Sequence, residues 1–157
     1  MKLLVIAAAL LIFMACPQAS EAYELKLAGG YEISLPDDFS IHENGMYMDK
    51  SRACAISYTA APRLSETETL EEAGKRTRSS FWQTRHMGTE RLGDHDAYVT
   101  EMHHGHDSGF TYIIITESHI HMLCMAFKNS SAYGKQFCDG IIKTLKKQKG
   151  ENNGKIF

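Results

Sequence analysis

HDAYVTEMHHGHDSGFTYIIITESHIHMLCMAF, residues 95–127, is the stretch of sequence that decides the fold. Apolar and polar residues alternate along most of it, and two short polar segments, 105–108 and 117–118, interrupt the alternation. This pattern predicts three consecutive antiparallel strands joined by tight turns. The strands are predicted at residues 95–104, 109–116 and 119–127. Because residues 113–115 are three successive isoleucines, we expect the middle strand to be covered on both faces.

The regions on either side of this three-strand meander supply a hairpin, a further strand and two helices. Segments 24–28 and 31–35 alternate around a Gly-Gly pair, which is typical of a small hairpin, and residues 53–60 predict a longer strand. Helical spacing of apolar residues predicts one helix over residues 65–87 and a second over residues 131–147. The predicted fold class is α+β, a mostly antiparallel sheet covered by two helices.

The N-terminal segment, residues 1–22, has the parts of a secretory signal peptide. Lys2 precedes an unbroken apolar run over residues 3–15, and small residues follow at the spacing that signal peptidase requires. The run is too short to span a bilayer. We therefore predict a signal peptide at 1–22, a single α+β domain at 23–147 and a disordered tail at 148–157, with the mature protein periplasmic or secreted.

Cys16 leaves a second location open. Ala15 suits the position before the cysteine of a bacterial lipoprotein, whereas Phe13 is a poor substitute for the usual leucine. A lipid on Cys16 would anchor the protein to a membrane or to the outer surface.

Composition and motifs argue against nucleic-acid binding and against catalysis. The chain has 17 Lys and Arg against 19 Asp and Glu, a net charge of −2, and it has no basic stripe. It contains no Gly-rich phosphate loop, no G-x-S-x-G and no H-E-x-x-H motif. The cysteines after the signal peptide fall in apolar segments, which do not favour a reactive thiolate. We predict a protein without enzymatic activity.

Three cysteines, Cys54, Cys124 and Cys138, remain after the predicted cleavage. An oxidising compartment favours one disulfide and one leftover thiol. Cys54 and Cys124 both lie in predicted strands, whereas Cys138 lies on the apolar face of the second predicted helix. We therefore predict a Cys54–Cys124 disulfide and a buried Cys138 thiol.

Histidine is frequent, with eight in 157 residues, five of them between positions 103 and 121. His103, His104 and His106, with Asp107 as a fourth ligand, predict a site for Zn, Cu or Ni in the first turn of the meander. The alternative is a polar turn with no specific role. Hairpin geometry places the histidines of the third meander strand at the opposite end of the sheet.

A copper(I) site is a further alternative. Met46 and Met48 supply two thioethers, and His42 supplies an imidazole nearby. Methionines two apart on a strand are also typical of one buried face of a sheet.

Three motifs accompany this order of elements: L-P-x-x-F at 35–39, L-G-D-H-D-A-Y at 92–98 and F-x-x-x-I-I-x-T-L-K at 137–146. Together they resemble the PsbP-like superfamily, which includes the DcrB-type bacterial envelope proteins, over about residues 31–147. The resemblance implies an α/β/α sandwich and a non-enzymatic accessory role, because members mostly serve as assembly factors, chaperones or partners of larger complexes. It carries over no catalytic set, since the matched positions are structural. They are Leu35, Pro36, Gly93, Ala97, Phe137, Ile141 and Ile142.

We therefore predict a non-catalytic accessory or binding protein that acts through protein–protein interaction with an envelope partner. No cofactor is needed for this role, and contact with a membrane would come only through a lipid on Cys16. The alternative function is periplasmic binding of Zn, Cu or Ni by the His-rich turn.

Overall fold

The computed structural model describes residues 22–63, 65–76 and 82–149. Residues 1–21, which include Cys16 and nearly all of the predicted signal peptide, and residues 150–157 lie outside these ranges. Over the described ranges the chain forms ten strands, two α-helices and one 3-10 turn at Ala28–Gly30. No helix in them is both long enough and apolar enough to cross a membrane. The elements are β1 (Tyr23–Leu27), β2 (Tyr31–Leu35), β3 (Phe39–Ile41), β4 (Tyr47–Asp49), β5 (Cys54–Pro62), α1 (Leu70–Arg76), β6 (Gln83–Leu92), β7 (His95–His104), β8 (Asp107–Ile115), β9 (His119–Lys128), α2 (Lys135–Ile142) and β10 (Lys146–Lys147).

Seven strands form one antiparallel sheet in the order β3-β4-β5-β9-β8-β7-β6. Its centre is the predicted meander, in which β7, β8 and β9 pair in chain order. β5 adds a non-local pairing, because it lies antiparallel to β9 from Cys54 opposite Phe127 to Pro62 opposite His119. The meander prediction is confirmed.

Three strands form a smaller antiparallel sheet in the order β1-β2-β10. Its β1–β2 pair is the predicted hairpin, with Leu25 opposite Ile33. Gly29 and Gly30 between the two strands have φ values of 69° and 75°. Glycine adopts this left-handed region without steric penalty, so the turn depends on both residues.

The main core lies between one face of the large sheet, the small sheet and α2. Alternate side chains of each strand point into it, because successive strand residues face opposite sides. Ile33, Ile56, Leu123 and Ile142 are all fully buried there. Truncation of one such side chain to alanine would lower the free energy of unfolding by about 2–5 kcal/mol.

α1 covers the opposite face of the large sheet, where Ala73 packs against Tyr98 and Ile113. A capping box begins the helix: the Thr69 N–H donates to the Glu72 carboxylate at 3.0 Å, and the Glu72 N–H donates to the Thr69 hydroxyl at 3.2 Å. The expected burial of β8 on both faces is confirmed. Ile113 packs with Ala73 and Tyr98 under α1, whereas Ile114 lies in the main core on the other face of the sheet.

Gly74 allows α1 to approach the sheet. A Cβ atom at this position would lie 2.1 Å from a carbon of the Tyr98 ring. We expect Gly74→Ala to displace the helix and lower the free energy of unfolding by about 1–3 kcal/mol, despite the better helix propensity of alanine. Urea unfolding measures the change.

Gly140 in α2 provides the matched control for this prediction. Apart from the adjoining residues and the backbone of the helix itself, no described atom lies within 4 Å of a Cβ built there. Gly140→Ala should therefore raise the free energy of unfolding by about 0.5–1 kcal/mol. Equal effects of the two substitutions would contradict the close packing of α1 on Tyr98.

The predicted helix over residues 65–87 is wrong in length. α1 ends at Arg76, and Gln83–Leu92 forms β6, an edge strand that pairs with β7 on both sides of a bulge between His86 and Gly88. Pairing with β7 overrides the local helical pattern in residues 83–87, whose side chains are exposed. Residues 77–81 lie outside the described ranges.

The predicted helix over residues 131–147 is also too long, because α2 has only eight residues and the chain then extends to join β2 as β10. The predicted tail at 148–157 begins too early, since the Gln148 N–H donates to the Gly30 carbonyl oxygen at 2.8 Å. The α+β class stands, but the fold has more sheet and less helix than a sheet covered by two long helices.

Candidate functional site

A polar cleft of about 490 Å³ lies at the end of the large sheet where β7 begins and β8 ends. Tyr31 of β2, His95 of β7 and Thr116 after β8 line it together with charged residues of the adjoining segments. Antiparallel pairing brings the start of one strand beside the end of the next, which is why these distant positions meet. This cleft is the candidate functional site.

The lining of the cleft is net negative, because four carboxylates face two guanidinium groups. The Arg91 guanidinium binds Asp96 at 3.2 Å, and Glu117 binds the ammonium group of Lys147 at 3.0 Å. Pairs as exposed as these contribute little to stability, but they set the local charge pattern. The charged lining residues are Arg63, Glu68, Arg91, Asp94, Asp96 and Glu117.

A fully buried histidine, His121 of β9, lies directly behind the cleft. Its Nε2 is 3.0 Å from Oγ1 of Thr116, a lining residue, and its Nδ1 is 2.9 Å from the Tyr58 hydroxyl oxygen. Its ring also contacts the Tyr31 ring, with 5.7 Å between centroids. Both ring nitrogens therefore have partners, as a buried polar group requires.

The groups around His121 determine its tautomer. The Thr116 hydroxyl donates to the His119 carbonyl oxygen at 3.1 Å, so its oxygen accepts a hydrogen bond from Nε2. The Tyr58 oxygen accepts from the Ala28 N–H at 2.9 Å, which leaves the Tyr58 hydrogen for Nδ1. We infer the neutral form with the proton on Nε2.

The network around His121 is uncharged at neutral pH. Burial, followed by the proximity of His119 and His95, lowers the pKa of His121 to about 4. Burial also raises the pKa of Tyr58. The network ties the Ala28–Gly30 turn to the large sheet and supports the wall of the cleft.

The predicted metal ligands do not come together. His103 and His104 are consecutive in β7 and point to opposite faces of the sheet, and the His104 ring packs against Trp82 at 5.6 Å between centroids. His106 lies in the following turn, and Asp107 begins β8. No group of three His, Cys, Asp or Glu residues in the described part of the chain could hold a metal ion. The prediction that His103, His104, His106 and Asp107 share one metal site is therefore wrong for this structure.

We expect micromolar Zn²⁺, Cu²⁺ or Ni²⁺ to leave the melting temperature unchanged within about 1 °C. A metal ion raises the melting temperature only if it binds the folded chain more tightly than the unfolded chain, and the described residues of the folded chain bring no three ligands together. A thermal-shift titration measures this, with the combined substitutions His103→Ala, His104→Ala and His106→Ala as the control. A rise in melting temperature that this control variant loses would show that the turn rearranges into a metal site.

The copper(I) alternative finds an incomplete set of ligands in the structure. His42 and Met48 line a shallow depression beside the β3–β4 turn, together with Glu43, Asn44 and Arg52, and Met46 is not among its lining residues. The depression therefore offers one thioether and one imidazole, rather than the two thioethers and one imidazole that the alternative requires.

The predicted Cys54–Cys124 disulfide is absent, and both residues are free thiols. The register of β5 on β9 sets Cys54 opposite Phe127 and Cys124 opposite Ser57. The two cysteines are three register positions apart, so their side chains point to opposite faces of the sheet. A disulfide needs Cβ atoms that face each other, and this pair cannot form one without a change of register.

Sequence reasoning missed the network of Tyr58, His121 and Thr116. Alternation does place His119 and His121 on one face of β9, and their rings lie 6.1 Å apart. The partners come from β5 and from the β8–β9 turn, and the pairing of β5 with β9 is not visible in local sequence. The signal available in the sequence was that His121 lies on the same face of the strand as two apolar residues, Leu123 and Met125.

No family model matches the sequence, and no curated protein matches it either. Solved structures do share its fold. The solution structure of cyanobacterial PsbP (CyanoP) from Synechocystis sp. PCC 6803 has a TM-score of 0.61 and 11% sequence identity, over 87% of this chain and 99% of that chain. A crystal structure of a protein from Bacteroides thetaiotaomicron VPI-5482 has a TM-score of 0.58 and 11% identity, over 77% of this chain and 46% of that chain.

These similarities concern the fold alone, because the sequence identity is 11% in both cases. The chain spans about half the length of the Bacteroides protein and nearly all of cyanobacterial PsbP. Its fold is PsbP-like, as the motifs predict. The relation to DcrB-type envelope proteins stays a prediction.

Proposed function

We propose that this chain is a secreted or periplasmic accessory protein that binds another envelope protein and carries out no catalysis. The observation that carries the proposal is the PsbP-like fold, shared over 87% of this chain and 99% of cyanobacterial PsbP. Such a fold is typical of non-enzymatic accessory proteins. A fold hosts many functions, so the partner must be argued from the site.

The chemistry of the described residues supports binding rather than catalysis. His121 is fully buried, and its pKa of about 4 keeps it neutral. Cys54 and Cys138 are buried thiols whose pKa burial raises to about 12. A nucleophilic cysteine needs the opposite environment, exposed and electropositive.

We propose that the cleft receives a basic segment of the partner protein. Asp94 and Glu117 are exposed at the cleft, and the charge there remains negative when the Lys147 ammonium group that binds Glu117 is counted with the lining residues. Charge complementarity at an interface steers association and selects the partner. A segment that carries lysine or arginine would complement this lining, whereas an acidic segment would be repelled.

Site-specific photo-crosslinking in cells that produce the full chain tests this role. A photoreactive amino acid replaces Asp94 at the cleft, or Lys128 at the opposite end of β9 as the matched control. We expect the first position to crosslink to one discrete envelope protein and the second position not to.

A competition experiment makes the result specific to the cleft. Excess wild-type chain should abolish the crosslink, and excess chain with Asp94→Lys and Glu117→Lys should not. Crosslinking from both positions equally, or from neither position, would contradict a binding role for the cleft.

The location is proposed from the predicted signal peptide at residues 1–22. We expect osmotic shock to release a form whose mass corresponds to residues 23–157, with no effect of Cys16→Ser. Release that requires Cys16→Ser would instead support the lipid-anchored alternative. Retention of the uncleaved chain in the cytoplasm would contradict both.

A further inference from the structure

The described cysteines divide between the two faces of the large sheet. Cys54 of β5 and Cys138 of α2 belong to the same core cluster, with 1% and 0% of their surfaces exposed. Cys124 of β9 points the other way, because its neighbours Leu123 and Met125 point into that core. Among these three cysteines, Cys54 and Cys138 are therefore the pair that shares one interior space.

Two contacts seat α2 against the part of the sheet that carries Cys54. The Tyr133 hydroxyl, just before α2, donates to Oδ2 of Asp49 at 3.1 Å, and Oδ1 of the same carboxylate accepts from the Cys54 N–H at 2.8 Å. Phe137, the residue before Cys138, stacks on Phe39 with 6.1 Å between ring centroids. Phe39 lies opposite Asp49 in the pairing of β3 with β4. Both contacts converge on the same corner of the core.

We propose that Cys54 and Cys138 form a disulfide when the chain folds in an oxidising compartment, an inference that rests on the proposed location outside the cytoplasm. The structure has both as thiols, which is the reduced form of this pair. One cysteine thiolate attacks a donor disulfide and releases one donor thiol, and the second cysteine then attacks the mixed disulfide and releases the other. The donor is a disulfide oxidoreductase or a small-molecule disulfide, and it takes up the two electrons and two protons that the pair loses.

The environment of the two sulfurs indicates when the bond forms. Burial raises the pKa of both thiols to about 12, and the carboxylates of Asp49 and Asp38 add to this at Cys54. The charge of the Cys54 thiolate adds to the effect of burial on the pKa of Cys138. Because the thiolate is the reacting species, the folded core exchanges slowly. The bond therefore forms during folding and then resists reduction in the native state.

Peptide mapping of the full chain, refolded from denaturant in a glutathione redox buffer, tests the pairing without requiring export. Free thiols are alkylated before digestion with trypsin. We expect tryptic peptides 53–63 and 136–143 to be recovered linked to each other, with Cys16 and Cys124 alkylated. Recovery of these two peptides alkylated, or of peptide 53–63 linked to the peptide that holds Cys124, would overturn the proposal.

Two cysteine variants extend the test. Cys124→Ser should leave the linked peptides unchanged, and Cys138→Ser should leave Cys54 alkylated. Refolding under reducing conditions should lower the melting temperature of the wild type and of Cys124→Ser by on the order of 10 °C, and that of Cys138→Ser by less than about 2 °C. Linked peptides in the refolded protein, together with a chain that is never found outside the cytoplasm, would support the pairing and contradict the proposed location.

Discussion

Lowering the pH from 7 to 4 should reduce the free energy of unfolding by about 2–3 kcal/mol through His121 alone. The His121 side chain is fully buried, and burial lowers its pKa from 6.5 to about 4. The unfolded chain therefore binds a proton near pH 6.5, whereas the folded chain resists protonation down to about pH 4. The stabilisation is fully present above about pH 6.5 and is lost progressively between that pH and about pH 4.

The hydrogen-bond geometry explains why the proton is excluded. A protonated imidazole carries hydrogens on both nitrogens, but Nδ1 of His121 already accepts from the Tyr58 hydroxyl. Tyr58 would have to turn its hydrogen away while its oxygen still accepts from the Ala28 N–H. We therefore expect acid to loosen the Ala28–Gly30 turn first, which hydrogen exchange at these amides would detect.

Urea unfolding at pH 7, 6, 5 and 4 measures the effect, and His121→Gln isolates it. Glutamine does not titrate, and it keeps one donor and one acceptor. Between pH 7 and 4 the free energy of unfolding of the variant should therefore fall by about 2–3 kcal/mol less than that of the wild type. His106→Gln is the matched control, because His106 is exposed in the β7–β8 turn. Parallel pH profiles of the wild type and His121→Gln would contradict the role assigned to His121.

The parts of the fold that were predictable from sequence are those set by local alternation. The meander and the β1–β2 hairpin follow from side chains that alternate within one strand and from the turn residues beside it. The first half of β6 was missed because residues 83–87 have no alternation and become a strand only by pairing with β7. A strand that depends on a neighbour for its hydrogen bonds leaves little trace in its own sequence.

The candidate site was less predictable because it depends on register. Tyr58 reaches His121 only because β5 pairs with β9, and the same pairing sends Cys54 and Cys124 to opposite faces. A shift of one residue would reverse every face of a strand. Sequence alone counts the histidines and cysteines, but it does not decide which of them meet.

Asp49→Ala should lower the free energy of unfolding by about 3–5 kcal/mol. Only 2% of the Asp49 surface is exposed, and its carboxylate has no ammonium or guanidinium partner among the described contacts. It is held instead by four neutral donors: the N–H groups of Ala53 and Cys54, both at 2.8 Å, and the hydroxyls of Ser51 and Tyr133.

The pKa of Asp49 reports the balance of these forces. Burial by itself would raise this pKa, but the donors from Ser51, Cys54, Tyr133 and Ala53 outweigh burial and hold it below the usual value. The carboxylate therefore contributes stability above the ordinary aspartate pKa, and this contribution is lost as the pH falls through the lower folded value. The stability that Asp49 contributes begins to fall at a lower pH than the stability that His121 contributes, so a pH titration of the free energy of unfolding separates the two effects.

A graded series distinguishes loss of the charge from loss of the acceptor. Asp49→Asn keeps one oxygen for the two N–H groups and should cost about 1–2 kcal/mol, and Tyr133→Phe removes a single hydroxyl and should cost about 1 kcal/mol. Asp96→Ala, at an exposed ion pair, should change stability by less than about 0.5 kcal/mol. Urea unfolding of the four variants at pH 7 measures the series. Equal losses of unfolding free energy in Asp49→Ala and Asp49→Asn would mean that the N–H groups of Ala53 and Cys54 find other acceptors. That result would contradict the role of the carboxylate in joining the β4–β5 turn to the segment before α2.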